Sequence, residues 1–152
     1  MSSLLDPQLI RAPDLSGGDW LNSKPLTRQA LRGRVVVVDF WDYTCINCLR
    51  TLPYLRAWHG RYADKGLTII GIHTPEFKFA RLRDQLEAAL VAHDIRYPIL
   101  LDNNYRLWDQ FANKAWPTKY LVDGKGYIRL RRQGEGHYQA MERGIQMLLH
   151  QR

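Results

Sequence analysis

The sequence predicts an α/β domain in which a central mixed β-sheet is flanked by helices. Three observations lead there. Two apolar, β-branched runs, VVVVDF at 35–40 and LTIIGIH at 67–73, lack polar alternation, the mark of strands buried on both faces in a parallel sheet. A stretch with helical spacing follows each run, giving a strand-helix-strand-helix order. Further on, Asp123-Gly124-Lys125-Gly126 separates two strand-like runs at 118–122 and 127–133, which read as an antiparallel hairpin.

Taken in order, residues 1–18 carry Pro7, Pro13, Gly17 and Gly18 and read as a loosely ordered lead-in to a single domain spanning 1–152. Residues 19–25 suggest a short hairpin arm, and 26–31 a brief helical turn stopped by Gly33. The run 35–40 is the expected central strand. Over 45–64, Leu49, Leu52, Leu55 and Trp58 recur every three residues on one helical face, with a kink expected at Pro53 and an end near Gly66. Residues 67–73 form the second buried strand, 78–93 a helix, 97–101 a short strand and 104–111 another helix. After the hairpin, 138–150 reads as an amphipathic helix.

Composition narrows the function. With 45% hydrophobic and 24% charged residues, the chain is too apolar for disorder, and its apolar runs fall far short of the roughly 18 residues a membrane span needs. The start, MSSLLDPQLIRAPDL, has neither a basic leader nor a continuous apolar core, so no export signal is read and a cytoplasmic address is expected. The net charge of +7 is scattered. Its densest group, Arg129, Arg131 and Arg132, has no interleaved aromatic platform for bases, which favours a solvated strand face over a nucleic-acid partner.

The chemistry lies in two cysteines. Cys45 and Cys48 sit where a buried strand turns into a helix, so both sulfurs fall near the first helical turn and can bond to each other. Unpaired N–H groups and the positive end of the helix dipole stabilise a thiolate there, making Cys45 a nucleophile and Cys48 its resolving partner. A zinc site would need about four ligands, and His59, His73, His93, His137 and His150 are not spaced with the cysteines as a finger.

The run VVVVDFWDYTCINCLRTLPYL resembles the active-site strand and helix of thioredoxin-like proteins, and WPTKYLVDGKGYI resembles their cis-proline strand and hairpin. Cys45-Ile46-Asn47-Cys48, His73-Thr74-Pro75-Glu76-Phe77 and Gly134-Glu135-Gly136-His137-Tyr138 together resemble the TlpA-like or redoxin branch, especially the thioredoxin-like domain of DipZ-type proteins. The resemblance implies a thioredoxin-like fold with an N-terminal extension and an inserted helix, and thiol-disulfide oxidoreductase activity on protein thiols. Asp39 takes the family's buried carboxylate position and is expected to accept the Cys48 proton; Glu76 would be a second relay. Pro117 is placed as a cis-proline, with the backbone of Trp116 and Thr118 offering an edge to an extended substrate. Trp41, Tyr43, Trp116 and Phe77 are candidates for an apolar rim that grips it. No cofactor beyond the Cys45–Cys48 disulfide is implied. The expected partners are protein thiol or disulfide substrates and an unidentified redox partner, met by a monomer, and the branch suggests an extracytoplasmic address instead.

Two departures stand out. Many relatives carry an acid in the helix after the dithiol, where this chain has Thr51 and Leu52. The dipeptide Ile46-Asn47 carries neither proline nor charge, which leaves the reduction potential anywhere between about −270 and about −120 mV. Two rivals remain. A thiol peroxidase of the peroxiredoxin type expects Pro-x-x-x-Thr/Ser-x-x-Cys, where this chain holds Val38 and Asp42. A copper(I) module would use Cys45 and Cys48 with His73 or His137.

Overall fold

The computed structural model describes residues 3–152. Its centre is β2 (Val35–Trp41), whose β-branched residues favour extended backbone and whose seven side chains are all buried. Strand order across the six-stranded sheet, starting from β1 (Trp20–Leu21), is β1-β4-β3-β2-β5-β6. Strands β3 (Leu67–His73) and β4 (Ile99–Leu101) run parallel to β2 on one side. On the other, β5 (Thr118–Val122) pairs antiparallel with β2, and β6 (Ile128–Gln133) with β5.

Alternation along β2 divides the core. Val35, Val37 and Trp41 face one cluster with Leu52, Leu55 and Trp58 of α2 (Ile46–Tyr62), Leu86 and Leu90 of α3 (Arg83–Ala92), and Met141, Ile145 and Leu148 of α5 (Tyr138–Gln151). Val36, Val38 and Phe40 face the other, with Leu107 and Trp108 of α4 (Arg106–Gln110) and, at its border, Leu31 of α1 (Arg28–Leu31). The two long strands thus match their expected course, and α2 runs without interruption through Pro53 to a short 3₁₀ turn closed by Gly66.

Three segments differ from expectation. Residues 3–18 are more tightly held than their prolines and glycines suggest: the Asp6 N–H donates to Arg129 O, the Ile128 N–H to Ile10 O and the Ala12 N–H to Gly126 O, at 2.7–2.8 Å. Leu5 is buried in one cluster and Leu15 in the other, so this strap wraps the outer side of the hairpin and covers a sheet edge. In place of a hairpin arm, β1 (Trp20–Leu21) pairs antiparallel with distant β4. The helical pattern at 78–93 is split at Leu82, whose extended backbone separates a 3₁₀ turn at Lys78–Arg81 from α3. Ala80 and Leu86 point inward while Phe79 and Leu82 are exposed, so no single apolar stripe joins the halves.

Gly71 shows how closely the α2 side of the sheet is filled. A Cβ there would lie 2.8 Å from Ile99 Cδ1 and 2.9 Å from Trp41 Nε1. Gly71→Ala is expected to cost about 1–3 kcal/mol, read as a lower urea midpoint with an unchanged slope.

Candidate functional site

The site forms at the C-terminal end of β2. Cys45 is the N-cap of α2, in extended backbone, and its Sγ accepts the Cys48 N–H at 3.3 Å. An N-cap acceptor is usually an oxygen; here a sulfur satisfies an amide that the helix leaves unpaired. Cys45 is half-buried and Cys48 buried, and the two sulfurs are not joined. The Cys48 thiol hydrogen bond, together with the N–H groups of Cys48 and Asn47, lowers the Cys45 thiol from 9.0 to about 7 against the opposing effects of burial and the Glu76 charge. Burial drives Cys48 far the other way, aided by its hydrogen bond to Cys45 and the charge of Asp39. The pair is therefore one ready thiolate and one strongly held proton.

Asp39 lies on β2, with Gly71 opposite it on β3 and Lys119 opposite it on β5. It shares the α2 side of the sheet with Val37 and Trp41, is fully buried, and has Lys119 Nζ 3.5 Å from its Oδ1. Burial pushes the Asp39 carboxyl above the usual carboxylate range, with Lys119 pulling in the opposite direction. Glu76 behaves differently. Its side chain is exposed and its charge acts on Cys45, whereas Asp39 has no exposed surface.

Of the six residues expected to contact substrate, Trp41 is a correction. Strand parity turns it into the α2-side core with no exposed surface, edge-on to His73 at 5.3 Å between ring centroids. Tyr43 is half-buried and stacks on His73 at 5.4 Å. Trp116 is also half-buried; its Nε1 donates to Thr74 O at 2.7 Å and its ring lies 4.1 Å from that of Trp108. The Trp116–Pro117 bond is cis, as expected. Thr118 is buried, its hydroxyl donating to Ala115 O and its backbone flanked by Phe40 of β2 and Gln133 of β6. Phe77 is exposed and stacks on Phe79.

A family model, the AhpC/TSA family, matches residues 10–131. The chain belongs to the AhpC/TSA family. Protein DipZ of Mycobacterium tuberculosis is 44% identical over 142 residues, a match covering 91% of this chain and 20% of DipZ, so the chain spans about one fifth of that relative. A thioredoxin-like superfamily protein of known structure superposes with a TM-score of 0.86 at 25% identity, over 93% of this chain and 97% of the other. A thiol-disulfide isomerase from Corynebacterium glutamicum superposes with a TM-score of 0.82 at 23% identity, over 91% and 95%. The fold of this AhpC/TSA member is thioredoxin-like, as the sequence predicted.

Neither rival gains from the geometry. Val38, at the peroxidase motif's proline position, is buried in β2, and Asp42, at its hydroxyl position, is a carboxylate already surrounded by donors. Among the described residues no group of three His, Cys, Asp or Glu could hold a metal. His73 is fully buried with Nε2 3.0 Å from Asp42 Oδ1, and His137 lies at the N-cap of α5.

Two site residues escaped the sequence reading. Asp42 faces the Thr44 N–H and hydroxyl, the Glu76 N–H and His73, and so ties the dithiol loop to the segment after β3. The Asp-x-Thr spacing before Cys45 was its available signal, since a short acid commonly bonds the backbone two residues on. Lys119 left a weaker trace: the one charged residue of its strand.

Proposed function

We propose that this domain is a thiol-disulfide oxidoreductase that exchanges disulfides with other proteins through Cys45 and Cys48. The observation that carries this reading is the unequal pair: a half-exposed sulfur capping a helix with its thiol near 7, three residues before a buried thiol held protonated. The Cys45 thiolate attacks a substrate disulfide, forming a Cys45–substrate bond as the substrate's own S–S bond breaks. Cys48 then gives its proton to Asp39 and attacks Cys45. The Cys45–Cys48 bond forms, the substrate sulfur leaves as a thiolate, and the substrate is reduced while the dithiol is oxidised. The sequence runs backwards when a dithiol substrate meets the oxidised pair.

An extended substrate segment lies along the Trp116–Pro117 backbone, between Trp116 and Tyr43, whose rings are anchored by Thr74 O and His73 and keep some exposed surface. Both sulfurs, Asp39 and this edge come from one chain, so a monomer suffices, and a redox partner protein resets the pair.

In the test, Cys48→Ala protein meets insulin or a cell extract under non-reducing conditions. The first step proceeds and the second cannot, so one partner per chain accumulates as a dithiothreitol-sensitive adduct on Cys45, visible by mass spectrometry. Recovery of no adduct on Cys45 would rule out a protein-disulfide role.

A further inference from the structure

The face of the sheet turned away from the dithiol holds a cavity of about 90 Å³ that the chemistry above does not use. Its floor is apolar. Val36 and Val122, directly paired across β2 and β5, lie there with Val38 and Phe111, all four buried. Leu31 of α1 and Leu15 of the N-terminal strap also line it. The strap forms a wall for a covalent reason: the Ala12 N–H donates to Gly126 O at the hairpin turn, but Pro13 has no N–H to continue the pairing. The chain therefore leaves the hairpin and crosses the sheet to bury Leu15. Beyond it the Arg28 N–H donates to Ser16 Oγ at 3.3 Å, tying α1 to the far end of the strap.

The mouth is cationic. Arg11, Arg28, Arg32 and Lys125, all exposed, line it against two carboxylates, Asp14 and Asp123. Both acids are already engaged. Asp14 accepts the N–H and hydroxyl of Ser16, while Asp123 accepts from Gln8, from Arg129 and from the N–H groups of Lys125 and Tyr127. Arg11 is engaged too, donating to Lys125 O and the Tyr127 hydroxyl. Among the described residues no ion pair uses Arg28, Arg32 or Lys125. An excess of positive charge at the rim of an apolar cavity favours a ligand that is anionic at one end and apolar at the other.

We propose that this cavity binds a small amphipathic carboxylate, with its apolar tail on the valine floor and its head among Arg28, Arg32 and Lys125. The volume sets the tail: at about 10–15 Å³ for each water-sized group, the cavity takes a chain of roughly six carbons. The floor sets its polarity, since the side chains of Val36, Val38, Val122 and Phe111 offer no partner to a buried polar atom. The mouth sets the head. Two guanidinium groups suit a planar carboxylate, which accepts paired N–H donors, and a cationic head would be repelled. Both sulfurs pack with the other core cluster, so this site stands apart from the dithiol reading.

Amide NMR of isotope-labelled protein, titrated with hexanoate, acetate and 1-hexanol at constant ionic strength, reads position and affinity together. Hexanoate should shift the amides of residues 11–15, 28–32 and 122–126 with a Kd on the order of 1 mM. At about twenty times that Kd it should raise Tm by about 5 °C. Acetate keeps the head without the tail and 1-hexanol the tail without the head, so each should bind about tenfold or more weakly. Arg28→Gln/Arg32→Gln changes two exposed side chains, and should weaken hexanoate about tenfold while leaving 1-hexanol unchanged. Ala12 is half-buried against the floor's own cluster, and the added ring of Ala12→Phe should abolish binding of both.

Acetate as effective as hexanoate would mean an adventitious surface anion only and overturn the site. 1-Hexanol as tight as hexanoate overturns the carboxylate head, as does hexanoate affinity that survives Arg28→Gln/Arg32→Gln unchanged. Shifts gathered at the dithiol end of the sheet instead overturn the location. If Ala12→Phe does not fold, the ligand series and the arginine pair decide the matter on folded protein.

Discussion

Cys45→Ser is expected to reduce dithiol turnover to background, a fall on the order of 10³-fold or more in insulin reduction. The chain carries just two sulfurs of this kind, and they are not equivalent. At neutral pH about half of Cys45 is thiolate, given a thiol near 7, whereas Cys48 remains protonated across the physiological range. A serine hydroxyl at the same N-cap accepts the same amide hydrogen bond, so the fold should survive and only the nucleophile be lost. Iodoacetamide provides the pH test: wild-type alkylation should fall on Cys45 with a midpoint near pH 7, against the 9.0 of an ordinary thiol. Because the Cys48 thiol is the largest stabiliser of that thiolate, Cys48→Ala should move the midpoint up. A Cys45 midpoint equal to that of a free thiol would show that the helix end and Cys48 do not activate it.

The main architecture was legible because its strands carry strong local signals. VVVVDF and LTIIGIH have no polar face to expose, and both became interior strands with Asp39 and Gly71 at matching register. The Asp-Gly-Lys-Gly turn gave the hairpin for a similar reason: Asp123 Oδ1 accepts the N–H groups of Lys125 and Tyr127, a closure built into five consecutive residues. Misreadings fell where distant partners decide. Nothing local to Trp20 and Leu21 says that their partners are Leu100 and Ile99, and nothing in the lead-in says that Ile10 will accept from Ile128.

The site followed the same division. The dithiol and its helix were readable because cysteine spacing and helix start are adjacent in the chain. Trp41 was misassigned because proximity in sequence to Cys45 was taken as proximity to substrate, whereas strand parity sends it beneath the dithiol into the core. Asp42, one residue later, leaves the strand and turns into a cage of donors. Its partners come from Thr44 on one side and from His73 and Glu76, more than thirty residues away, on the other.

That cage sets the largest stability effect expected from a single polar side chain. Asp42→Ala removes the acceptor from the Thr44 N–H and hydroxyl, the Glu76 N–H and His73 Nε2, all gathered around a fully buried carboxylate. Stranding one buried and several part-buried donors at once should cost about 3–5 kcal/mol, or about 10 °C or more in Tm for a chain of this size. Burial pushes the Asp42 carboxyl up, but the hydrogen bonds from His73, Thr44 and the Glu76 N–H outweigh it, and the net shift from 3.8 is downward. A carboxyl more acidic folded than unfolded stabilises the protein above its unfolded value and loses that contribution as pH falls through its folded one. Asp42→Asn should therefore differ most from wild type near neutral pH, with the two stability curves converging in acid. Urea unfolding from pH 7 downward tests both effects. An Asp42→Ala midpoint equal to wild type at pH 7, or a gap between Asp42→Asn and wild type that persists in strong acid, would show that the dithiol loop is held by its backbone alone.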